Sequence, residues 1–309
     1  MNPLKLFTMP QYFFRPRQIL RRLEQSFSGP PPEFSQVRLP WGDLITIRPK
    51  ETIGALIYYY GVFDLVVTEA ICRLLDESEI AIDIGANIGQ MTSLMRHQAG
   101  RKGRVVSVEP HPELFADLTR IVGQTTLASR VAPVETHQVA LSDQEGEAFL
   151  DVGPNWEENR GLSKVVAEAD PKASRTLKVR LTTLDKLLNG TAQVGFCKID
   201  VEGHELNVFR GAARLLKERR IRDVVFEDFG KYPSNLHRMF LEHGFSLFSL
   251  HSTLLKPLLR PVSSTPPLFD EKDGENYLAT LEPDRARKRF QPLGWRVLGR
   301  SLPKGSHAG

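Results

Sequence analysis

Apolar residues fall into short runs that stop at glycine or an acidic residue, and amphipathic stretches separate these runs. Ile80-Ala81-Ile82-Asp83 is such a run, and a helical pattern follows over 88–97. The next strand is expected over 104–108, ending at Glu109-Pro110, with a helix over 112–122 and a third strand over 134–141. Segment 147–182 is less regular, with strand-like pieces around Phe149 and over 177–181. The alternation resumes with a strand over 194–199, a helix over 205–219 and a strand over 224–227. A helix over 236–243 and closing strands over 245–249 and 277–281 complete it. Upstream, 37–39 and 44–47 predict a small hairpin around Pro40-Trp41-Gly42-Asp43, and 63–75 predicts a helix. Nearly all-apolar strands alternating with helices predict an α/β fold, a doubly wound and mostly parallel sheet with helices on both faces.

Composition narrows the class without changing it. Among 309 residues, 41 Lys and Arg against 37 Asp and Glu leave a formal charge of +4, and 41% of residues are hydrophobic. Those values exclude a disordered, collagen-like or coiled-coil chain. No stretch reaches the ~18 uncharged apolar residues of a membrane span. The two cysteines, Cys72 and Cys197, are too few for a disulfide framework and predict a reducing, cytoplasmic setting.

The charge is unevenly placed. Residues 1–40 hold six basic and two acidic side chains, and 281–309 hold seven basic and two acidic ones. This asymmetry divides the chain into a basic arm (1–35), a body (36–281) and a basic tail (282–309). In the arm, Ile19, Leu20, Leu23 and Phe27 share a helical face beside Arg15, Arg17, Arg21 and Arg22. Such a helix packs on its own domain or rests on an anionic membrane surface. The Pro30-Pro31-Pro32 run then acts as a stiff linker.

In an open α/β sheet, ligands bind at the carboxyl ends of the strands. The first strand ends in Asp83-Ile84-Gly85-Ala86-Asn87-Ile88-Gly89, and Glu109 closes the second. Glycine at 85 and 89 permits a tight turn and close approach of a ligand, and an acidic group after the second strand suits ribose hydroxyls. A dinucleotide fingerprint needs a glycine where Asn87 stands, which argues against a nicotinamide-dependent oxidoreductase. A carboxylate before the turn suits a ligand with an ammonium group, and S-adenosylmethionine carries both features. The third cluster is Lys198-Ile199-Asp200-Val201-Glu202-Gly203-His204-Glu205. Strand alternation puts Phe196, Lys198 and Asp200 on one face, and a lysine inside a buried run needs an anionic partner. Asp200, with Lys198, His204 and Glu227, supplies groups for general-base chemistry. Asp200 and Glu227 could also take a divalent metal, although none is assigned.

The motifs Asp83-Ile-Gly-Ala-Asn-Ile-Gly, Val108-Glu109-Pro-His-Pro, Ala140-Leu-Ser-Asp-Gln-Glu-Gly, Thr183-Leu-Asp and Lys198-Ile-Asp-Val-Glu-Gly-His-Glu, in this order, resemble the FkbM family of S-adenosylmethionine-dependent methyltransferases. The resemblance covers roughly 79–281 and extends to Asn276-Tyr-Leu-Ala. It implies a Rossmann-like class I methyltransferase fold with a seven-stranded sheet, and methylation of a hydroxyl on a sugar, glycan or secondary metabolite. It further implies that Asp83, Gly85, Ala86, Asn87 and Gly89 line the methionine end, that Glu109 holds the ribose, and that Ala140 and Leu141 lie near the adenine. Asp200 and the residues after it would face the acceptor. The segment 155–163, with Trp156, Glu157 and Glu158, is expected to form a lid over a polar substrate. RNA or protein is the competing acceptor class, but the body lacks a basic motif interleaved with aromatics. A non-catalytic nucleoside-binding module is the remaining alternative.

Overall fold

The computed structural model describes residues 9–16, 18–19, 22, 29–124, 130–168, 175–190, 193–230, 232–262 and 276–299. One helical turn, α1 (Pro10–Phe13), and an antiparallel hairpin, β1 (Ser35–Arg38) and β2 (Leu44–Ile47), precede helices α2 (Thr52–Tyr60) and α3 (Leu65–Leu74). The alternation then runs β3 (Ile80–Ile84), α4 (Gln90–Ala99), β4 (Arg104–Val108), α5 (Pro112–Val122) and β5 (Val134–His137). Four strands follow: β6 (Ala140–Leu141), β7 (Gly146–Asp151), β8 (Lys164–Val166) and β9 (Thr176–Thr182). After α6 (Leu184–Leu187) come β10 (Val194–Ile199), α7 (Glu205–Arg210), α8 (Ala213–Lys217), β11 (Ile221–Glu227) and α9 (Asn235–Glu242). The chain continues through β12 (Ser246–Ser252), β13 (Pro257–Pro261), β14 (Asn276–Thr280) and α10 (Pro283–Phe290).

The main sheet has the order β13-β12-β14-β11-β10-β3-β4-β5. Strands β11, β10, β3, β4 and β5 pair in parallel, while β14 is antiparallel to both β11 and β12. The fold class is the expected one, but the sheet has eight strands rather than seven. The additional strand is β13, which folds back antiparallel on β12 at the sheet edge. Its flanking prolines disguise it in the sequence, yet an edge strand tolerates proline because one side of its backbone needs no partner.

Both faces of the sheet are buried, which is why its strands read as continuous apolar runs. Ala81, Val105, Phe196 and Val225 pack on one face with residues of α3 and α4. Ile82, Val106, Cys197 and Val224 pack on the other with residues of α7, α8 and α9. Both cysteines are free and buried.

Two expected elements divide. The strand over 134–141 splits, because the chain leaves the main sheet after His137 and Ala140 pairs in parallel with β9 instead. Strands β6, β9, β7 and β8 form a second sheet, in that order, from the segment that looked irregular. The helix over 205–219 breaks at Gly211, where a β-carbon would run into the Ser142 carbonyl. The Asp185 carboxylate then accepts from the Arg214 and Leu215 amides (2.8 and 3.0 Å), satisfying the restarted helix.

The basic segment after 282 is part of the body as far as it is described. Arg285 pairs with Asp223 (2.9 Å) and Asp76 (2.7 Å), and Arg289 pairs with Asp76 (2.6 Å). Arg73 is fully buried: Nε donates to Glu69 (2.7 Å), and the guanidinium also reaches the carbonyls of Arg289 (2.7 Å), Pro292 (3.2 Å) and Gly294 (2.7 Å). Glu69 in turn accepts from the Arg296 and Val297 amides, each at 2.9 Å. These bonds give part of the tail's charge a structural use; 300–309 lie outside the described residues. In the N-terminal arm, Arg22 sits over the rings of Tyr12, Tyr59 and Tyr60, a packed arrangement. Leu20, Leu23, Phe27, Arg17 and Arg21 of the expected amphipathic face lie outside the described residues. No described helix is long and apolar enough to cross a membrane; α2 and α3 pass only as a pair bent by 70°.

Candidate active site

At the carboxyl ends of β3, β4, β10 and β11 the chain opens into a cleft walled also by α2, the Phe63–Asp64 turn, β6 and residues 159–165. The β3 turn builds its floor. Gly85 (φ 73°), Asn87 (φ 51°) and Gly89 (φ 86°) all have left-handed backbone, which reverses the chain before α4. At Gly85 the space for a β-carbon is occupied by the Asp200 carbonyl, and at Gly89 a β-carbon would lie 2.6 Å from Ile121 Cγ2. The protein's own packing therefore requires both glycines. Gly85, Ala86 and Asn87 line the cleft; Gly89 does not, since it caps α4 behind them.

Asp83 also departs from expectation. Lys198 and Asp83 are paired in register across β10 and β3, and both project to the α4 face. The Asp83 side chain is 0% exposed, accepts from Thr92 Oγ1 (2.6 Å) and lies 3.7 Å from Lys198 Nζ. It does not line the cleft; it stands behind the wall as the partner that the buried lysine required. Burial raises its carboxyl above the ordinary range, and Lys198 partly offsets that.

Lys198 Nζ donates to the Gly85 carbonyl (2.8 Å) and lies 3.6 Å from Asp200 Oδ2. Burial alone would lower its ammonium, but Asp200, Asp83, Glu109 and Asp64 surround it and hold it above its ordinary value. Asp200 is partly exposed in the cleft, at the end of β10. Glu227 ends β11 opposite Asn276 of β14, and both line the cleft. Glu202 joins Asp200 and Glu227: oxygens of the three carboxylates lie within 4.8 Å of one another, a spacing a cation could bridge, and none is assigned to it. Burial, then the Asp200 charge, pushes the Glu202 carboxyl up to about 7.

His204 is not with them. Glu202 (φ 54°) and Gly203 (φ 92°) turn the chain, and His204 Nε2 meets Ser142 Oγ at 3.0 Å while Nδ1 faces Asn207. It lines the cleft, as Ala140 and Leu141 do, apart from the carboxylate cluster.

Glu109 is 5% exposed and lies in the cleft wall. Its two oxygens accept one amide each, from Asn87 (2.8 Å) and His111 (2.9 Å), which leaves lone pairs for further donors. Burial pushes its carboxyl up to about 7 despite those bonds. Ala140 and Leu141 are buried and present an apolar slot beside it. A carboxylate with spare acceptor capacity next to an apolar slot and a left-handed turn fits an adenosyl group.

The expected lid is pinned to the other wall. Trp156 is buried and stacks on His111 with centroids 4.0 Å apart, Glu157 pairs with Arg48 (3.1 Å), and the Glu158 carbonyl accepts from the Thr52 amide (2.8 Å). The stretch from Asn159 to Ser163 is what enters the cleft wall, with Arg160 buried between Asp117 (3.4 Å) and Glu51 (4.0 Å).

Sequence reasoning missed Asp64. It caps α3 with a left-handed backbone (φ 40°), lines the cleft, and accepts from Val67 N (3.1 Å) and Asn276 Nδ2 (3.2 Å). Asp64-Leu65 carries no motif; only its position ahead of an apolar helical run marks it as a cap.

A parallel sheet extended by antiparallel strands, with a cleft at its carboxyl edge, is a Rossmann-like fold of the class I methyltransferase type. Residues 83–247 match the methyltransferase FkbM domain, and the chain belongs to that family of S-adenosylmethionine-dependent enzymes. It is similar to the hexuronic acid methyltransferase AglP of Haloferax volcanii, 25% identical over 172 residues. That match covers 54% of this chain and 65% of the relative's length. Among solved structures it is similar to an FkbM methyltransferase from Methylobacillus flagellatus KT, with a TM-score of 0.40 and 16% identity over 65% of this chain and 43% of that one. Fibrillarin of Aeropyrum pernix gives 0.36 and 11%, over 69% of this chain and 74% of that one.

Proposed function

We propose that the protein methylates a hydroxyl oxygen of a sugar, glycan or related metabolite, with Asp200 as the general base. The observation that carries this reading is the Asp200–Lys198 pair at 3.6 Å, at the open end of the cleft and one strand from the Gly85 turn. Glu109 holds the ribose, the Gly85-Ala86-Asn87 backbone supports the chain beyond it, and Ala140 and Leu141 flank the adenine. Bound S-adenosylmethionine supplies an electrophilic sulfonium methyl. Asp200 accepts the hydroxyl proton as the oxygen attacks, and Lys198 orients the carboxylate while its own bond to the Gly85 carbonyl keeps it in place. Glu227 positions the acceptor from the neighbouring strand. Five carboxylates, Asp64, Glu109, Asp200, Glu202 and Glu227, line the cleft, which would repel a nucleic-acid backbone. The hexuronic acid named for the relative supports a sugar as acceptor class.

The test is transfer of isotopically labelled methyl from S-adenosylmethionine to pools of glycans, lipid-linked glycans, RNA and protein, followed by mass spectrometry. Label in an ether of a sugar hydroxyl is the expected result. Label confined to RNA or protein would overturn the reading.

A further inference from the structure

We propose that Asp64, rather than the motif residue Asp83, receives the amino-acid ammonium of the bound cofactor. The inference rests on the placement of the ribose at Glu109. From there a ligand crossing the Gly85 turn runs from the end of β4 over β3 toward β10, β11 and β14, following the sheet order. Asp83 is sealed beneath that path by Lys198 and Thr92. Asp64 enters the cleft from the head of α3, in the layer that also holds α4, and Asn276 ties it to the end of β14.

Three observations favour Asp64 over Asp200 as the ammonium site. Its two hydrogen bonds come from neutral donors, an amide and a carboxamide, whereas Asp200 has the Lys198 ammonium at 3.6 Å. Each oxygen keeps a lone pair, so an ammonium can bind without displacing a protein group. The residue is also held in place at a conformational cost. Its left-handed backbone is secured by Gln90, whose side chain accepts from the Phe63 amide (2.8 Å) and donates to the Phe63 carbonyl (3.0 Å). Strain kept by dedicated bonds beside a cleft marks a side chain whose direction matters. Burial, reinforced by the Asp200 charge, pushes the carboxyl up to about 6, so a cation arriving there relieves an unfavourable charge.

The experiment compares S-adenosylhomocysteine with its deaminated analogue, which keeps the carboxylate but lacks the ammonium, by calorimetry on the full chain. Asparagine retains the capping oxygen and tolerates left-handed backbone, so Asp64→Asn preserves the local fold, checked by its thermal midpoint. Wild type should bind S-adenosylhomocysteine roughly 10-fold or more tightly than the analogue, the scale of one charge-assisted hydrogen bond. Asp64→Asn should remove most of that preference while leaving affinity for the analogue unchanged. Glu109→Ala should weaken both ligands alike, which tests the ribose placement separately. An undiminished preference in Asp64→Asn, or equal loss for both ligands, would overturn the assignment.

Discussion

Gly85 and Asp200 share one space: the carbonyl oxygen of Asp200 occupies the place where a β-carbon on Gly85 would stand. The Asp200 amide donates to the Ile84 carbonyl (3.1 Å), and Lys198 donates to the carbonyl of Gly85 itself (2.8 Å). The Gly85 turn and the end of β10 are thus joined backbone to backbone. A change in either one moves the other.

Asp200→Asn separates chemistry from binding. Asparagine keeps the size and one acceptor oxygen but cannot take a proton. Turnover should fall by roughly 10²–10⁴, the usual scale for losing a general base, with S-adenosylhomocysteine affinity within about threefold of wild type. Turnover of the variant near the wild-type rate would remove Asp200 from the chemistry.

Glu109→Ala should raise the S-adenosylhomocysteine dissociation constant roughly 10–100 fold, because charge-assisted bonds to two ribose hydroxyls are lost. The thermal midpoint should fall as well, since the Asn87 and His111 amides lose their shared acceptor. Calorimetry paired with a melting curve reads both effects.

Stability of the ligand-free protein should fall as pH rises from about 6.5 to 8, above the range in which His111, pushed by burial from 6.5 down to about 4, acts in the opposite sense. The carboxyls of Asp64, Glu109 and Glu202 stand at about 6, 7 and 7, against ordinary values of 3.8, 4.5 and 4.5. A carboxyl raised in the folded state binds more protons there than in the unfolded chain. Its contribution is therefore largest below the unfolded value and is lost as pH climbs through the folded one. Glu109→Gln should flatten the slope of thermal midpoint against pH, and a midpoint that rises over this range would contradict the account.

The strand ends were readable because each apolar run stops at a residue whose chemistry differs from the run: Asp83, Glu109, Asp200 and Glu227. The need of Lys198 for an anion was also visible, since a buried ammonium has few alternatives. What the sequence could not reveal depends on which layers meet. Asp64 reaches the cleft only because α3 crosses beneath the sheet, and the wide part of 155–163 is held by Arg48 and Thr52, more than a hundred positions upstream. The third strand divides because Ala140 finds a partner in Leu181, a pairing that no local pattern announces.

Arg73→Met should destabilise the fold by about 3–5 kcal/mol, the usual cost of removing one partner of a buried ion pair. It strands the Glu69 charge and leaves the carbonyls of Arg289, Pro292 and Gly294 short of a donor. Urea unfolding gives the value, and a loss below about 1 kcal/mol would reduce the pair to the level of a surface contact.

The same arrangement bears on synthesis at the ribosome. Arg73 and Glu69 are made early, but the groups that satisfy them, from the carbonyl of Arg289 to the amide of Val297, emerge more than two hundred residues later. Until then the nascent chain carries a cation and an anion on α3 whose remaining hydrogen bonds only water can fill. That face of the sheet cannot close in the order in which it is translated. The last turns of the described chain act as a latch: until they emerge, α3 lacks the groups that complete its buried ion pair.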